Sequence, residues 1–302
     1  MLKKIIKEIK GYTLVELVLT MALMGILLGA IAKISSVPIQ AYIDTLRRAD
    51  LVDSAEMAIR RMGRDIQRAI PNSVRTKASG SVQALELLNT IEGKQYRAQG
   101  PAINSLDFTA ADTDFDVWGP FQYVNLANLS YRVVIYNTGA INGSNFDSPI
   151  AGTNVYSTSN APVTSTVPPP GTHVITPTSL VVTLSNPTGS TGHVNISGTG
   201  WQFAFPSPKQ RMYITDGPVS YLCDTSAGTL TRYWGYTIAG VQPTSFAGGV
   251  QSALLASNVS ACTFTYLQGS VNRNGVAILR ITLTSKGESV TLINEVSVRN
   301  VP

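Results

Sequence analysis

The stretch Gly11-Tyr12-Thr13-Leu14-Val15-Glu16-Leu17-Val18 decides how this chain is read, because it opens a long apolar run with a single carboxylate inside it. From Leu17 to Ala32 no residue is charged. As a helix those residues rise about 24 Å, a little short of the ~30 Å hydrocarbon core of a bilayer. Including Tyr12 to Val15 makes the segment long enough to span, but it carries Glu16 to membrane depth. A carboxylate there costs about 2.5–3.5 kcal/mol on insertion scales, so Glu16 needs a compensating partner. On the amino side Lys3, Lys4, Lys7 and Lys10 outnumber Glu8. The positive-inside rule therefore puts that end in the cytoplasm and everything after Ala32 on the far side.

Three readings compete for this segment. Ala30-Ile31-Ala32 before Lys33 is a small-x-small pattern that a secretory signal peptidase could cut. A plain membrane anchor is the second, with Glu16 an unfavourable accident that snorkels or stays neutral. The third rests on resemblance. A basic leader ending in Gly11, an aromatic first mature residue Tyr12, and Glu16 at the fifth mature place resemble the class III signal of type IV pilin-like proteins. The resemblance implies that a prepilin peptidase cuts after Gly11 and methylates the new amine of Tyr12. Most family members carry Phe there, so Tyr12 is a mild departure. It also implies that Glu16 pairs with the free amine of a neighbouring subunit. Both charges are expensive in lipid and become tolerable when docked, so the pair sets the register of stacked helices.

Downstream the pattern predicts one nearly continuous helix from Tyr12 to about Ile70. Gly25 and Gly29 form a small-xxx-small pair that lets helices approach closely in a membrane. Pro38 removes a backbone donor and is expected to kink the helix near Ile34. Pilins commonly place a proline where Lys33 stands here. Beyond Pro38 the helix turns amphipathic. Ala55, Ile59, Met62, Ile66 and Ala69 recur at spacings of three and four, an apolar stripe suited to a sheet. Arg47, Arg48, Arg60, Arg61, Arg64 and Arg68 are interleaved with Asp44, Asp50, Asp53, Glu56 and Asp65 on the opposite side. They read as a solvated face, or as one that forms salt bridges between subunits. Pro71-Asn72 is the expected stop.

From residue 73 the composition shifts to Val, Thr, Ser, Tyr and Gly, typical of β structure. Expected strands are 130–136, 178–184, 201–205, 211–215, 219–223, 230–238, 261–267, 276–284 and 289–299. The last two read as a terminal hairpin about Ser285-Lys286-Gly287-Glu288. The Asn-, Gly-, Ser- and Pro-rich stretch 137–172 reads as long surface loops within the same domain. The fold class expected is α+β: a long amino-terminal helix, membrane-spanning in its first half, packed on a large β-rich domain. Its divisions are a leader (1–11), an assembly half of the helix (12–38), an amphipathic half (39–72) and a β-rich domain (73–302).

The chain has 302 residues, of which 14% are charged and 44% hydrophobic, so a disordered polyelectrolyte is excluded. Net charge is +5, yet the first eleven residues alone carry +3, and the rest carry 19 basic and 17 acidic groups. The excess is an amino-terminal matter and gives no reason to expect nucleic-acid binding. The two cysteines, Cys223 and Cys262, fit a disulfide, with two buried free thiols as the competing reading. Strand alternation puts Val219, Tyr221 and Cys223 on one face, and Cys262, Phe264 and Tyr266 on another. The bridge would stabilise by roughly 3–4 kcal/mol and belongs in an oxidising compartment.

No nucleophile elbow, phosphate loop or Cys/His metal spacing is present, so no enzyme activity and no cofactor is expected. Asp112-Thr113-Asp114-Phe115-Asp116 resembles the start of a calcium loop, but Val117 and Tyr123 stand where Gly and Glu are needed. A solvated acidic turn is the competing reading. Trp118, Trp201 and Trp234 are read as core or rim residues, with an adhesive patch as the alternative.

Within the pilin class the resemblance narrows further. The runs Ala41-Tyr42-Ile43-Asp44, Arg47-Arg48-Ala49-Asp50-Leu51-Val52-Asp53, Ala58-Ile59-Arg60-Arg61-Met62-Gly63-Arg64-Asp65-Ile66 and Ala69-Ile70-Pro71-Asn72-Ser73-Val74-Arg75 are similar to minor pilins of the mannose-sensitive haemagglutinin pilus system. So is the ending Gly287-Glu288-Ser289-Val290-Thr291-Leu292 to Val301-Pro302. This implies a structural role starting or tipping a filament, with attachment to surfaces. The implied partners are the inner membrane, prepilin peptidase, and other major and minor pilins. A minor pseudopilin of a type II secretion system and a secreted or anchored β-rich adhesin are the alternatives.

Overall fold

The computed structural model describes residues 11–98, 104–157, 173–269 and 273–298. The chain divides into two compact units, Met1–Asp50 and Leu51–Pro302, and the division falls inside one helix, α1 (Leu14–Gln67). In the first unit α1 is apolar and bare. Leu17, Val18, Leu19, Met21, Leu23, Met24, Ile26, Leu27 and Leu28 are all exposed. The helix is assigned without interruption through Pro38.

In the second unit the same helix changes character. Leu51, Ala55, Ala58, Ile59, Met62, Ile66 and Ala69 are buried in one core cluster, the stripe that the three-and-four spacing anticipates. α1 stops at Gln67, a few residues before the expected Ile70. Ala69 forms an isolated bridge with Asn89, and the Ile70 N–H donates to the Leu88 carbonyl at 2.9 Å. The backbone has already exchanged helix partners for sheet partners before Pro71 is reached.

Fourteen strands follow among the described residues. They are β1 (Arg75–Ser79), β2 (Val82–Leu88), β3 (Glu92–Gln95), β4 (Asp114–Trp118), β5 (Arg132–Ile135), β6 (Val182–Ser185) and β7 (Thr191–Ile196). After them come β8 (Arg211–Thr215), β9 (Pro218–Asp224), β10 (Thr229–Trp234), β11 (Gln251–Ser257), β12 (Val259–Leu267), β13 (Gly275–Ser285) and β14 (Glu288–Val298). They form a five-stranded sheet in the order β1-β2-β9-β10-β11 and three three-stranded sheets, β12-β13-β14, β3-β8-β5 and β4-β7-β6. All pairing between these strands is antiparallel. The α+β class read from the sequence is the class observed.

The five-stranded sheet and β12-β13-β14 share one core with the α1 stripe. A second core, around Phe115, Val133, Ile135, Val194 and Phe203, is built by the two remaining small sheets. The terminal hairpin forms as expected, with Ser285 opposite Glu288 and only Lys286 and Gly287 between them. Both turn residues have positive φ (46° and 93°), the geometry of a two-residue type I′ turn. The segment 201–205 is not a strand. Trp201 and Phe203 are buried, but their backbones make only isolated bridges, to Asp112 and His173. Within the expected loop stretch, 158–172 lies outside the described residues.

Just past α1, a polar network sits in the interior. Arg75 faces Glu86 across β1 and β2, and both are almost fully buried. The Arg75 Nε donates to Glu86 at 2.6 Å, and its terminal nitrogens donate to the Gly240 and Ala239 carbonyls at 2.6 and 2.8 Å. The guanidinium lies 3.6 Å from the centre of the Tyr156 ring, and the Tyr236 hydroxyl donates to the second Glu86 oxygen at 2.9 Å. Burial pushes the Glu86 carboxyl upward while Arg75 and the Tyr236 donor oppose it. Burial, and then the Glu86 charge, push both tyrosines well above their ordinary range. Charged groups survive in such a place only when all their hydrogen-bonding capacity is used.

Candidate assembly site

The amino-terminal site begins with a cap. α1 starts at Leu14, and the Thr13 hydroxyl accepts a hydrogen bond from the Glu16 N–H at 3.3 Å. The Leu17 N–H donates to the Thr13 carbonyl at 3.2 Å, the first full helical bond. Thr13 is therefore the N-cap and Glu16 the third helical residue, the Thr-x-x-Glu spacing of a capping box. Reading Glu16 only as a membrane acid overlooks this local role, although the spacing was visible in the sequence. The carboxylate also stands in the first turn, where the partial positive charge of the helix end favours it.

The cap fixes what lies outside the helix. Gly11, Tyr12 and Thr13 precede α1, and Tyr12 is 83% exposed. The Gly11–Tyr12 peptide bond, at which cleavage is expected, is thus outside helical hydrogen bonding, as a protease substrate must be. Inside the apolar stretch the Thr20 hydroxyl donates to the Leu17 carbonyl at 2.9 Å, so this polar group is satisfied within its own helix. A side chain added at Gly25 or Gly29 meets nothing within 4 Å among the described residues, which leave the small-residue face uncovered. Among the described residues α1 is the one helix long and apolar enough to cross a membrane, and none of its most apolar window is buried.

Residues 6–32 match the family model for the prokaryotic N-terminal methylation motif. The match supports a type IV pilin or pseudopilin, processed by prepilin peptidase and associating with pilins in the membrane. The proteins that carry this motif are structural rather than enzymatic. The exposed apolar helix is consistent with single-pass anchoring. No curated protein and no solved structure matches the chain.

The remaining sequence-derived sites lie in the second unit. Cys223 on β9 and Cys262 on β12 form a disulfide with Cα atoms 6.5 Å apart, tying the five-stranded sheet to the terminal one. The acidic run divides: Asp112 and Thr113 form a bend before the strand, with the Asp114 N–H donating to the Asp112 carboxylate at 3.2 Å, while Asp114 and Asp116 lie on β4. Asp116 contacts the His193 Nδ1 at 2.9 Å, Asp112 accepts the Asp107 N–H at 2.9 Å, and Asp114 accepts from Asn104. Their oxygens serve the protein's own donors. Among the described residues no group of three or more His, Cys, Asp or Glu is arranged to hold a metal ion.

The charged side of α1 is partly solvated, with Arg47–Asp44 (2.6 Å) and Arg60–Glu56 pairs along the helix. Asp65 departs from that reading. It is buried, accepts the Tyr221 hydroxyl at 2.6 Å and the Arg232 Nε at 2.8 Å, and so docks the helix on β9 and β10.

Proposed function

We propose that this chain is a minor pilin of a type IV pilus of the mannose-sensitive haemagglutinin type, similar to MshO. In that role it helps to start or tip the filament and contributes to surface attachment. The observation that carries the reading is Glu16: a carboxylate in the first turn of a capped helix, four residues from the expected new amino terminus, on a helix whose apolar surface the described residues leave exposed. In the mature protein Tyr12 is methylated and its amine, or that of a neighbouring pilin, meets Glu16 of an adjoining copy or relative. Gly25 and Gly29 let the helices approach, and Pro38 supplies a point of bending. The leader is 1–11, the assembly half of the helix 12–38 and its amphipathic half 39–72. The domain 73–302 lies in the periplasm and then on the cell surface, where Cys223–Cys262 is stable.

The test is mass spectrometry of the processed amino terminus together with filament incorporation of Glu16→Ala. The mature chain is expected to begin at methyl-Tyr12, and Glu16→Ala is expected to be processed normally but to incorporate at least tenfold less. A mature chain beginning at Lys33, or normal incorporation of Glu16→Ala, overturns the proposal. Deletion of the gene should cost surface fibres and attachment; loss of exported enzymes instead assigns the chain to secretion.

A further inference from the structure

The second unit contains an open groove of about 1080 Å³, at the size of a small-molecule site. Its floor is the β3–β8 pair. Gly93 sits opposite Tyr213, and a Cβ added at Gly93 would touch the tyrosine ring at 3.4 Å, so the missing side chain lets the ring lie across the strand. One rim is Trp118 at the end of β4, 55% exposed, with the Arg97 guanidinium 4.6 Å from its ring centre. Beside it stands Tyr123, 76% exposed. The loop carrying Tyr123 is held in place from below. The buried Glu92 carboxylate accepts the backbone N–H groups of Gln122 and Tyr123 at 3.0 and 2.9 Å and pairs with Lys94 at 2.9 Å. Of the three tryptophans, Trp201 is in the core and Trp234 is partly buried against the α1 core, whereas Trp118 is exposed and lines this groove.

The chemistry of the wall selects a ligand. Its charged residues are Arg68, Lys94, Arg211 and Glu92, of which Lys94 and Glu92 are paired with each other, leaving Arg68 and Arg211. The balance is therefore positive by about two, which suits an acidic ligand of low charge density. It is far from the six to ten phosphate contacts through which nucleic acid is usually held. Gln67, Gln95 and Gln122 line the same space. Carboxamides both donate and accept, which matches hydroxyl groups that do both; a phosphate only accepts. Exposed aromatic faces add a flat apolar surface against which the C–H face of a pyranose can lie.

We infer that this groove binds an acidic oligosaccharide, with Trp118 and Tyr123 as stacking platforms and Arg68 and Arg211 attracting its carboxylates. The inference stands apart from the pilin reading, since it rests on the second unit only. Its test is titration calorimetry of the full chain in a detergent without a sugar headgroup. The probes are oligogalacturonate, neutral maltohexaose, oligoglutamate and a single-stranded oligonucleotide. Oligogalacturonate is expected to bind more tightly than the other three and to weaken as salt rises. Trp118→Ala and Tyr123→Ala, both at exposed positions, are each expected to weaken it about tenfold or more while the thermal midpoint stays unchanged. No binding of oligogalacturonate at millimolar concentration, equal binding of any other probe, or wild-type affinity in both variants overturns the inference. Using two variants keeps the test decisive if one of them fails to fold.

Discussion

Breaking the Cys223–Cys262 bridge gives the most quantitative check on the architecture of the second unit. The two residues are 39 positions apart, and the segment between them contains β10 and β11. On the loop-entropy relation a closed loop of that size removes about 13 cal/mol/K from the unfolded chain, or about 4 kcal/mol at room temperature. Cys223 is fully buried, so replacing it with Ala adds a packing loss to the entropic one. Reduction of the wild type isolates the entropic part. The assay is guanidinium unfolding of the full chain in detergent, with and without reductant. If the slope is roughly 4–6 kcal/mol/M, reduction lowers the midpoint by about 0.7–1 M. The slope itself should rise, because the reduced unfolded chain exposes more surface. A midpoint shift under about 0.2 M refutes the reasoning, since the bridge would then constrain little. Free thiols in material exported natively would refute the oxidising compartment that the pilin reading requires.

Two further perturbations probe the interior polar groups. Glu86→Gln leaves the Arg75 guanidinium buried without its counter-charge and is expected to cost about 3–5 kcal/mol, while Arg75→Met with Glu86→Leu, which also strips the Gly240 and Ala239 carbonyls and the Tyr236 hydroxyl of these partners, recovers only part of that loss. Equal destabilisation in the single and double variants, read by the same unfolding assay, would show that the ion pair is not the cause. His173 is buried against Trp201 with ring centres 5.1 Å apart, and burial pushes its pKa down to about 4. Protonation therefore favours the unfolded chain, whose histidine titrates near 6.5. Stability is intact above about pH 6.5 and falls as the pH drops toward 4, by at most about 3 kcal/mol. His173→Phe should flatten that part of the stability–pH profile; an unchanged slope assigns the acid sensitivity elsewhere.

What the sequence disclosed was whatever is encoded within a few residues of itself. The α1 stripe from Ala55 to Ile66 and the Ala277–Leu283 face of β13 repeat at the period of their own element, and each is buried where that period puts it. The Lys286-Gly287 turn is local chemistry of the same kind. Several strands escaped notice because their own residues carry no alternating pattern, even where the partner is adjacent in sequence, as in the β1–β2 hairpin in which Ser79 faces Val82. β2 reads Val-Gln-Ala-Leu-Glu-Leu-Leu, with helix-favouring residues and a charge in the middle, and β11 reads Gln-Ser-Ala-Leu-Leu-Ala-Ser. Neither alternates cleanly in hydrophobicity: β2 is buried over its last five residues, while β11 is exposed or half-buried except at Ala256, which reaches the core. β4 was concealed by its aspartates, whose charges are absorbed by His193 and Asn104 from elsewhere in the chain.

The same distinction separates Glu16 from Asp65. Both are acids on one helix, and composition alone treats them as equals. Glu16 carries its own context in sequence: a cap three residues before it and an uncharged run after it. Asp65 looks like one more member of a mixed-sign face, and its partners Tyr221 and Arg232 lie more than 150 positions away. An acid that acts at a helix end can be read from its neighbours, whereas an acid that docks a helix onto a sheet is defined by the sheet. The groove beside Trp118 belongs to the second kind. Its floor needs Gly93 on β3 to meet Tyr213 on β8, and its rim needs Glu92 to hold the Gln122–Tyr123 backbone. No spacing rule connects those residues, so the groove became visible only once the strands were paired.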